Sequence, residues 1–191
     1  MAFKVWLVWA PASGKTTITE MIKERWYIVF PEAATELVKL ELLKWTTKEI
    51  IFNNLIKTKE FQDHIHEKKI EQYQMADNID GFVFFDSTFI DDIAHRQMFG
   101  LELENILTDI FSRRYDQVFF IKHPLKNQHR ILDDIKLKEA STLDSLKREA
   151  LNISRYNSIE VPTTEELLNN HDISPSKRVD FILSKLWLGK E

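Results

Sequence analysis

No cysteine occurs in the chain, so disulfides and thiolate metal sites are excluded. Positive charge is not in excess either. Lys and Arg total 26 against 30 Asp and Glu, a net charge of -4, whereas a nucleic-acid binder usually carries a basic surplus. No apolar run reaches the length that a bilayer span requires. The start, Met1-Ala2-Phe3-Lys4, lacks a cationic segment with a small-residue cleavage site, so no secretory signal is expected and the cytoplasm is the expected compartment. Glycine is scarce, with 4 among 191 residues, where about 7% is ordinary. Tryptophan, with 5, outnumbers it.

What is present is an ordinary globular composition, 43% hydrophobic and 29% charged. A length of 191 residues suits one domain with a sizeable core, so 1–191 reads as a single unit. Apolar runs at 3–8, 27–30, 82–85, 117–121 and 158–161 read as strands, and the first is nearly continuous, as for a strand buried on both faces. Helical spacing covers 15–25, 34–44, 48–57, 60–78, 90–99, 103–113, 143–151, 164–168 and 176–186. A helical insert thus spans about 34–79, and a charged stretch at about 126–140 precedes the last strand. Strands separated by helices predict an α/β fold with a parallel sheet covered on both faces. In such sheets ligands bind beyond the carboxyl ends of the strands.

The segment Pro11-Ala12-Ser13-Gly14-Lys15-Thr16-Thr17 lies between the first strand and the first helix. It matches the second half of G-x-x-x-x-G-K-[ST], a phosphate-binding loop. In such a loop, backbone N–H groups at a helix start hold phosphate oxygens. Gly14 lets the backbone approach closely, Lys15 places a cation on the outer phosphates, and the Thr16 hydroxyl is set for Mg²⁺. Trp9 stands where the motif has its first glycine. An indole there either obstructs the nucleotide or points away from it.

Two further tryptophans fall where glycine makes better physical sense. Trp26 and Trp45 each follow the end of a predicted helix, where a left-handed residue is usually Gly. Trp6 and Trp187 suit either reading. Together with the glycine shortage, this suggests that the gene uses the codon UGA for glycine and that the printed tryptophans at these places are its mistranslation. Ordinary tryptophans are the competing account.

Five stretches, taken in order, resemble the P-loop kinases of the AAA_28-type, ATPase-like group that includes the ribosylnicotinamide kinase domain. They are Pro11 to Thr17, Pro31-Glu32-Ala33-Ala34, Phe84-Phe85-Asp86-Ser87-Thr88, Arg114 to Phe120, and Asp133-Asp134-Ile135-Lys136. The resemblance implies a three-layer P-loop fold with a five-stranded sheet of order 2-3-1-4-5 and a lid before the last strand. Two departures stand out. The family often has Asp-Arg where this chain has Asp86-Ser87, and a lid arginine is here Lys136, which keeps the charge without the bidentate fork.

Asp86, ending the third strand, is a candidate for Mg²⁺ binding or for accepting the proton of an attacking hydroxyl. A helix N-cap is the plainer alternative. Glu32, after the second strand, lies near the acceptor hydroxyl in the resembled kinases, or simply favours a helix dipole. Lys136, with Arg130 and Lys138, is a lid candidate for balancing charge on the transferring group, against the reading of a solvated charged face. In the insert, Gln62, His64, Gln72 and Tyr73 offer polar groups for an acceptor, while Phe61 and Ile65 suit a core. His64 and His66 have no evident partner ligands, and no metal beyond Mg²⁺ is expected. Asp91 and Asp92 read as helix-start acids.

These residues point to an ATP- and Mg²⁺-dependent kinase of a small molecule, with a nucleoside-like acceptor and neither nucleic acid nor membrane as partner. Lys15, Asp86, Glu32 and Lys136 are the expected catalytic set. The loop from Pro11 to Thr17 holds the nucleotide, and Thr16 and Asp86 hold the metal. A nucleotide-binding regulator or a simple NTPase is the alternative. No G-x-G-x-x-G follows a strand, which argues against a dinucleotide-dependent oxidoreductase.

Overall fold

The fold was described from a computed structural model, which covers residues 1–9, 13–44, 47, 50, 51, 54–122, 134–163 and 175–188. Five strands form one parallel sheet in the order β2-β3-β1-β4-β5. They are β1 (Ala2–Trp9), β2 (Ile28–Phe30), β3 (Gly81–Phe85), β4 (Gln117–Ile121) and β5 (Ser158–Val161). Seven α-helices are present among the described residues: α1 (Lys15–Glu24), α2 (Ala33–Leu43), α3 (Lys59–Ala76), α4 (Phe89–Phe99), α5 (Glu104–Ser112), α6 (Asp134–Ile153) and α7 (Ser176–Leu188). None of the helices described is long and apolar enough to cross a membrane.

The near-continuous apolar strands follow from a sheet with two buried faces. Successive side chains of a strand point to opposite faces. Accordingly Trp6 and Val8 join Val83, Phe85, Val118 and Phe120 in one core, closed by residues of α3, α4, α5 and α6 such as Ala76, Ile93, Ile110 and Leu151. Val5, Leu7 and Trp9 join Phe84, Phe119 and Ile121 in the other, closed by Ile18 and Ile22 of α1 and Val179 and Ile182 of α7. A small third cluster of Ala33, Phe61 and Ile65 seals α2 against α3.

The expected sheet order and strand positions are those observed. Some helices differ. The helix expected at 48–57 lies partly outside the described residues, and its end, Leu55–Lys57, is a single 3₁₀ turn. The helix expected from 143 starts at Asp134, because Leu137, Ala140 and Leu143 continue its spacing. The second half of the expected lid, Lys136 and Lys138 included, is therefore helical backbone. Arg130 and the rest of that lid, together with the helix expected at 164–168, lie outside the described residues, as does Trp45.

The end of α1 accounts for Trp26. Its φ is +67°, its N–H donates to the Lys23 carbonyl at 2.8 Å, and the Tyr27 N–H donates to the Ile22 carbonyl at 3.4 Å. This is a Schellman motif, whose left-handed residue is usually glycine. The same pair of bonds ends α4, where Gly100 takes that place at φ +67°. It also ends α6, where Arg155 does so at φ +54°. The Trp26 side chain is 95% exposed, so nothing in the packing explains an indole there.

Candidate active site

The loop between β1 and α1 leaves the sheet at the carboxyl end of its central strand. Gly14 caps α1 at φ 86° and ψ 20°, a conformation that a side chain strains. The Gly14 carbonyl accepts the Ile18 N–H at 3.1 Å, which opens the helix. A Cβ built on Gly14 would meet none of the described residues within 4 Å, which leaves that side of the backbone open to a close ligand. Ser13 is buried and its hydroxyl has no protein partner among the described residues. Thr16 and Thr17 are exposed in the first turn of α1. Pro11 and Ala12 lie outside the described residues. Trp9 is 4% exposed and belongs to the core beneath α1 and α7, with its indole Nε1 unpartnered among the described residues. The indole thus packs into the core and not into solvent.

Lys15 reaches from the start of α1 to two carboxylates. Its Nζ lies 2.7 Å from Glu32 Oε2 and 3.4 Å from Asp86 Oδ1. Glu32 follows β2 after Pro31, and Asp86 directly follows β3, so the order β2-β3-β1 sets three strand ends side by side. Burial opposes the Lys15 charge, but Glu32 and Asp86 outweigh it and raise its pKa. Glu32 is likewise opposed by burial and is pulled below its usual range by Lys15 and by the Thr35 hydroxyl. Asp86 behaves differently. Burial, reinforced by the Glu32 and Asp91 charges, overcomes Lys15 and pushes it up to about 6. Its side chain is only 10% exposed, and the Lys15 ammonium at 3.4 Å is the cation beside Oδ1. A buried carboxylate held only by a long ion pair has lone pairs left for a cation.

Two cations that sequence reading did not single out hold the loop from behind. Lys147 of α6 donates to the Trp9 carbonyl at 3.2 Å and pairs with Asp91 Oδ1 at 2.8 Å. Arg178 of α7 donates to the Ser13 carbonyl at 2.8 Å and to the Lys122 carbonyl at 2.7 Å. Neither carries a motif, and both approach from the far end of the chain. Asp91 was expected as a helix-start acid, and its Oδ2 does accept the Thr88 N–H at 2.7 Å. Burial disfavours its charge, but Lys147 and Lys69 overcome this and hold it at about 2. His95, one turn on, is pushed down to about 4 by burial and by Lys147, so it is neutral near pH 7.

The insert helix α3 differs from expectation in its polar residues. His66 has two carboxylate partners, Asp92 at 2.8 Å and Asp109 at 3.1 Å. Lys69 is buried against Asp92 and the Thr88 carbonyl. Gln62 and Gln72 donate to the carbonyls of Ile56 and Pro31, and the Tyr73 hydroxyl donates to that of Arg114. These groups therefore staple α3 to its neighbours, while His64 is exposed. Lys136 is placed by its backbone in the first turn of α6.

The family model AAA_28, described as an AAA domain, matches residues 4–166. None of the curated proteins matches the chain in sequence. Among solved structures, a deoxyadenosine kinase from M. mycoides with dCMP and dCDP bound is 18% identical, with a TM-score of 0.63, over 97% of this chain and 99% of that one. A thymidylate kinase from Ehrlichia chaffeensis is 14% identical, with a TM-score of 0.65, over 97% and 98% of the two chains. The NadR protein in complex with NR is 14% identical, with a TM-score of 0.67, over 97% of this chain and 50% of that one. At such identities the likeness establishes the fold, which is that of the P-loop nucleoside and nucleotide kinases.

Proposed function

We propose, from the premise that this chain belongs to the AAA_28 family of AAA domains, that it is an ATP-dependent kinase transferring the γ-phosphoryl group to a small, nucleoside-like acceptor. The observation that carries the reading is the placement of Lys15 between Glu32 and Asp86 at the carboxyl ends of three adjacent strands. The backbone of the loop from Pro11 to Thr17, with Lys15, binds the β- and γ-phosphates. Glu32, one third exposed, accepts the proton of the acceptor hydroxyl. The acceptor oxygen forms a bond to the γ-phosphorus as the bond to the β-phosphate oxygen breaks, and ADP leaves. Thr16 and the Asp86 carboxylate suit Mg²⁺, which takes hard oxygen ligands. When bound, Mg²⁺ neutralises charge on the phosphate oxygens. Lys136, at the start of α6, is assigned to the same task from the lid side.

Lys15 also links nucleotide binding to proton transfer. A triphosphate competes with Glu32 for the ammonium. Once Lys15 turns to the phosphates, Glu32 loses the partner that lowers its pKa and becomes a better base.

One observation favours a second reading, a nucleotide-binding regulator with little turnover. Ser87, buried after Asp86, stands where the resembled kinases often carry an arginine. The test is calorimetric titration with Mg-ATP, followed by a nucleoside panel assayed for phosphorylated product. The kinase reading expects binding and product, both lost in Lys15→Met. Binding without product supports the regulator, and acceptor-independent phosphate release supports an NTPase. No binding of ATP or GTP overturns all three.

A further inference from the structure

The phosphate loop has a swivel and a lock. Gly14 is the swivel. At φ 86° with no Cβ and, among the described residues, no neighbour within 4 Å of where one would stand, the peptide before it can rotate with little steric resistance. The peptide after it is fixed, because the Gly14 carbonyl accepts the Ile18 N–H. The Ser13–Gly14 peptide is held instead by a side chain from the end of the chain. Arg178, 3% exposed in the first turn of α7, spans two carbonyls with its two terminal nitrogens, Ser13 at 2.8 Å and Lys122 at 2.7 Å. The guanidinium is planar, permanently charged and rigid in its fork. It thus ties the loop to the carboxyl end of β4, the strand that pairs with β1 at Trp9 and Ile121.

In a trans peptide the C=O and N–H point in opposite directions. A carbonyl drawn toward Arg178 therefore turns the next N–H away from it, the sense in which a phosphate-binding nest presents its donors. We propose that Arg178 is a positioning residue that fixes the Ser13–Gly14 peptide and so aims the Gly14 N–H at the phosphates of a bound nucleotide. The inference rests on the phosphate-loop reading above and adds a residue outside the motif to it. Its action is on phosphate affinity, not on acceptor chemistry, and its charge acts through the backbone.

The scarcity of glycine supplies the test. With 4 glycines in the chain, selective ¹⁵N-glycine labelling gives a spectrum in which Gly14 can be followed beside Gly81 and Gly100, which report on the start of β3 and the end of α4. The native protein, Arg178→Lys and Arg178→Met are titrated with Mg-ATP, pyrophosphate and adenosine. In the native protein the Gly14 amide moves with Mg-ATP and with pyrophosphate. In Arg178→Met both ligands bind roughly tenfold more weakly, the value of one hydrogen bond to a charged group. Adenosine binding stays unchanged, and the Gly14 signal shifts while Gly81 and Gly100 keep their positions. Arg178→Lys loses less, since a lysine keeps the charge and one bond. The inference is overturned if Arg178→Met binds both phosphate ligands as the native protein does. It is also overturned if, in both variants, all three glycine signals move together and adenosine binding falls by the same factor, the signature of a merely structural staple. A native protein whose Gly14 ignores Mg-ATP removes the proposed function and this inference with it.

Discussion

Lys15 Nζ lies 2.7 Å from Glu32 Oε2, so the cation of the phosphate loop and the carboxylate after β2 neutralise one another. The pair gives each residue a separable role. Glu32→Gln removes the proposed proton acceptor and also releases Lys15. The expected outcome is a fall in kcat of about 10²–10⁴-fold with Mg-ATP affinity unchanged or tighter. Steady-state kinetics beside calorimetry checks this, and a large loss of ATP affinity in Glu32→Gln would count against the assignment.

Asp86 should leave a signature in pH dependence. Its pKa rises from 3.8 to about 6 on folding, so the folded protein keeps this proton to higher pH than the unfolded chain does. The ionised carboxylate therefore costs stability, increasingly as pH rises from 3.8 and fully above about 6. The gap corresponds to roughly 3 kcal/mol at most. Asp86→Asn is expected to raise the melting temperature at pH 8 and to leave it nearly unchanged at pH 3.5, while abolishing transfer. In the native protein kcat/KM is expected to rise with pH through about 6, the value of the free enzyme. Thermal denaturation at the two pH values decides the first point and the pH–rate profile the second.

The buried pair Lys147–Asp91 is a stability test. Lys147→Met leaves Asp91 as a buried charge that has lost one of its partners, at a cost of about 3 kcal/mol or more. The double variant with Asp91→Asn is expected to recover part of that loss, because no uncompensated charge remains. Urea unfolding of the single and double variants gives the coupling. Strictly additive losses would show that the pair does not interact.

Trp26 holds a left-handed backbone without packing to justify it. Trp26→Gly is expected to stabilise the protein by about 1 kcal/mol, the steric cost of a side chain in that region. Chemical denaturation measures this directly. If the printed tryptophan is a misread UGA codon, peptide mass spectrometry of protein from its own cell reads glycine at position 26. A UGG codon there ends the idea for that position.

Trp9 separates the same hypothesis from function. Because the indole sits in the core, Mg-ATP binding is expected to survive in the protein as written. Trp9→Gly is expected to bind with similar affinity. If the core needs the indole, that variant loses about 3–5 kcal/mol of stability to a cavity. Unchanged stability would instead mark position 9 as a natural glycine.

Much of the fold was legible in the chain because its signals are local. Continuous apolar runs reveal strands buried on both faces, helical spacing marks the layers between them, and Ser13-Gly14-Lys15-Thr16 announces a strand-to-helix phosphate loop. Glu32 and Asp86 were accessible for the same reason, since each follows a strand that the sequence marks. The left-handed backbone at Trp26 was also foreseeable, because a helix that stops without glycine still needs a residue in that conformation.

What only the tertiary structure decided is the set of partners that come from distant parts of the chain. Nothing in the local pattern of α6 says that Lys147 holds the Trp9 carbonyl, or in α7 that Arg178 holds Ser13 and Lys122. His66 looked solitary in sequence because Asp92 and Asp109 reach it from other helices. The ionisation of Asp86 likewise depends on burial and on three charges brought together by the strand order β2-β3-β1 and by the turn into α4. Periodicity and turn chemistry act over a few residues and can be read along a chain, whereas electrostatics and buried hydrogen bonds act through space and exist only once the sheet has ordered its strands.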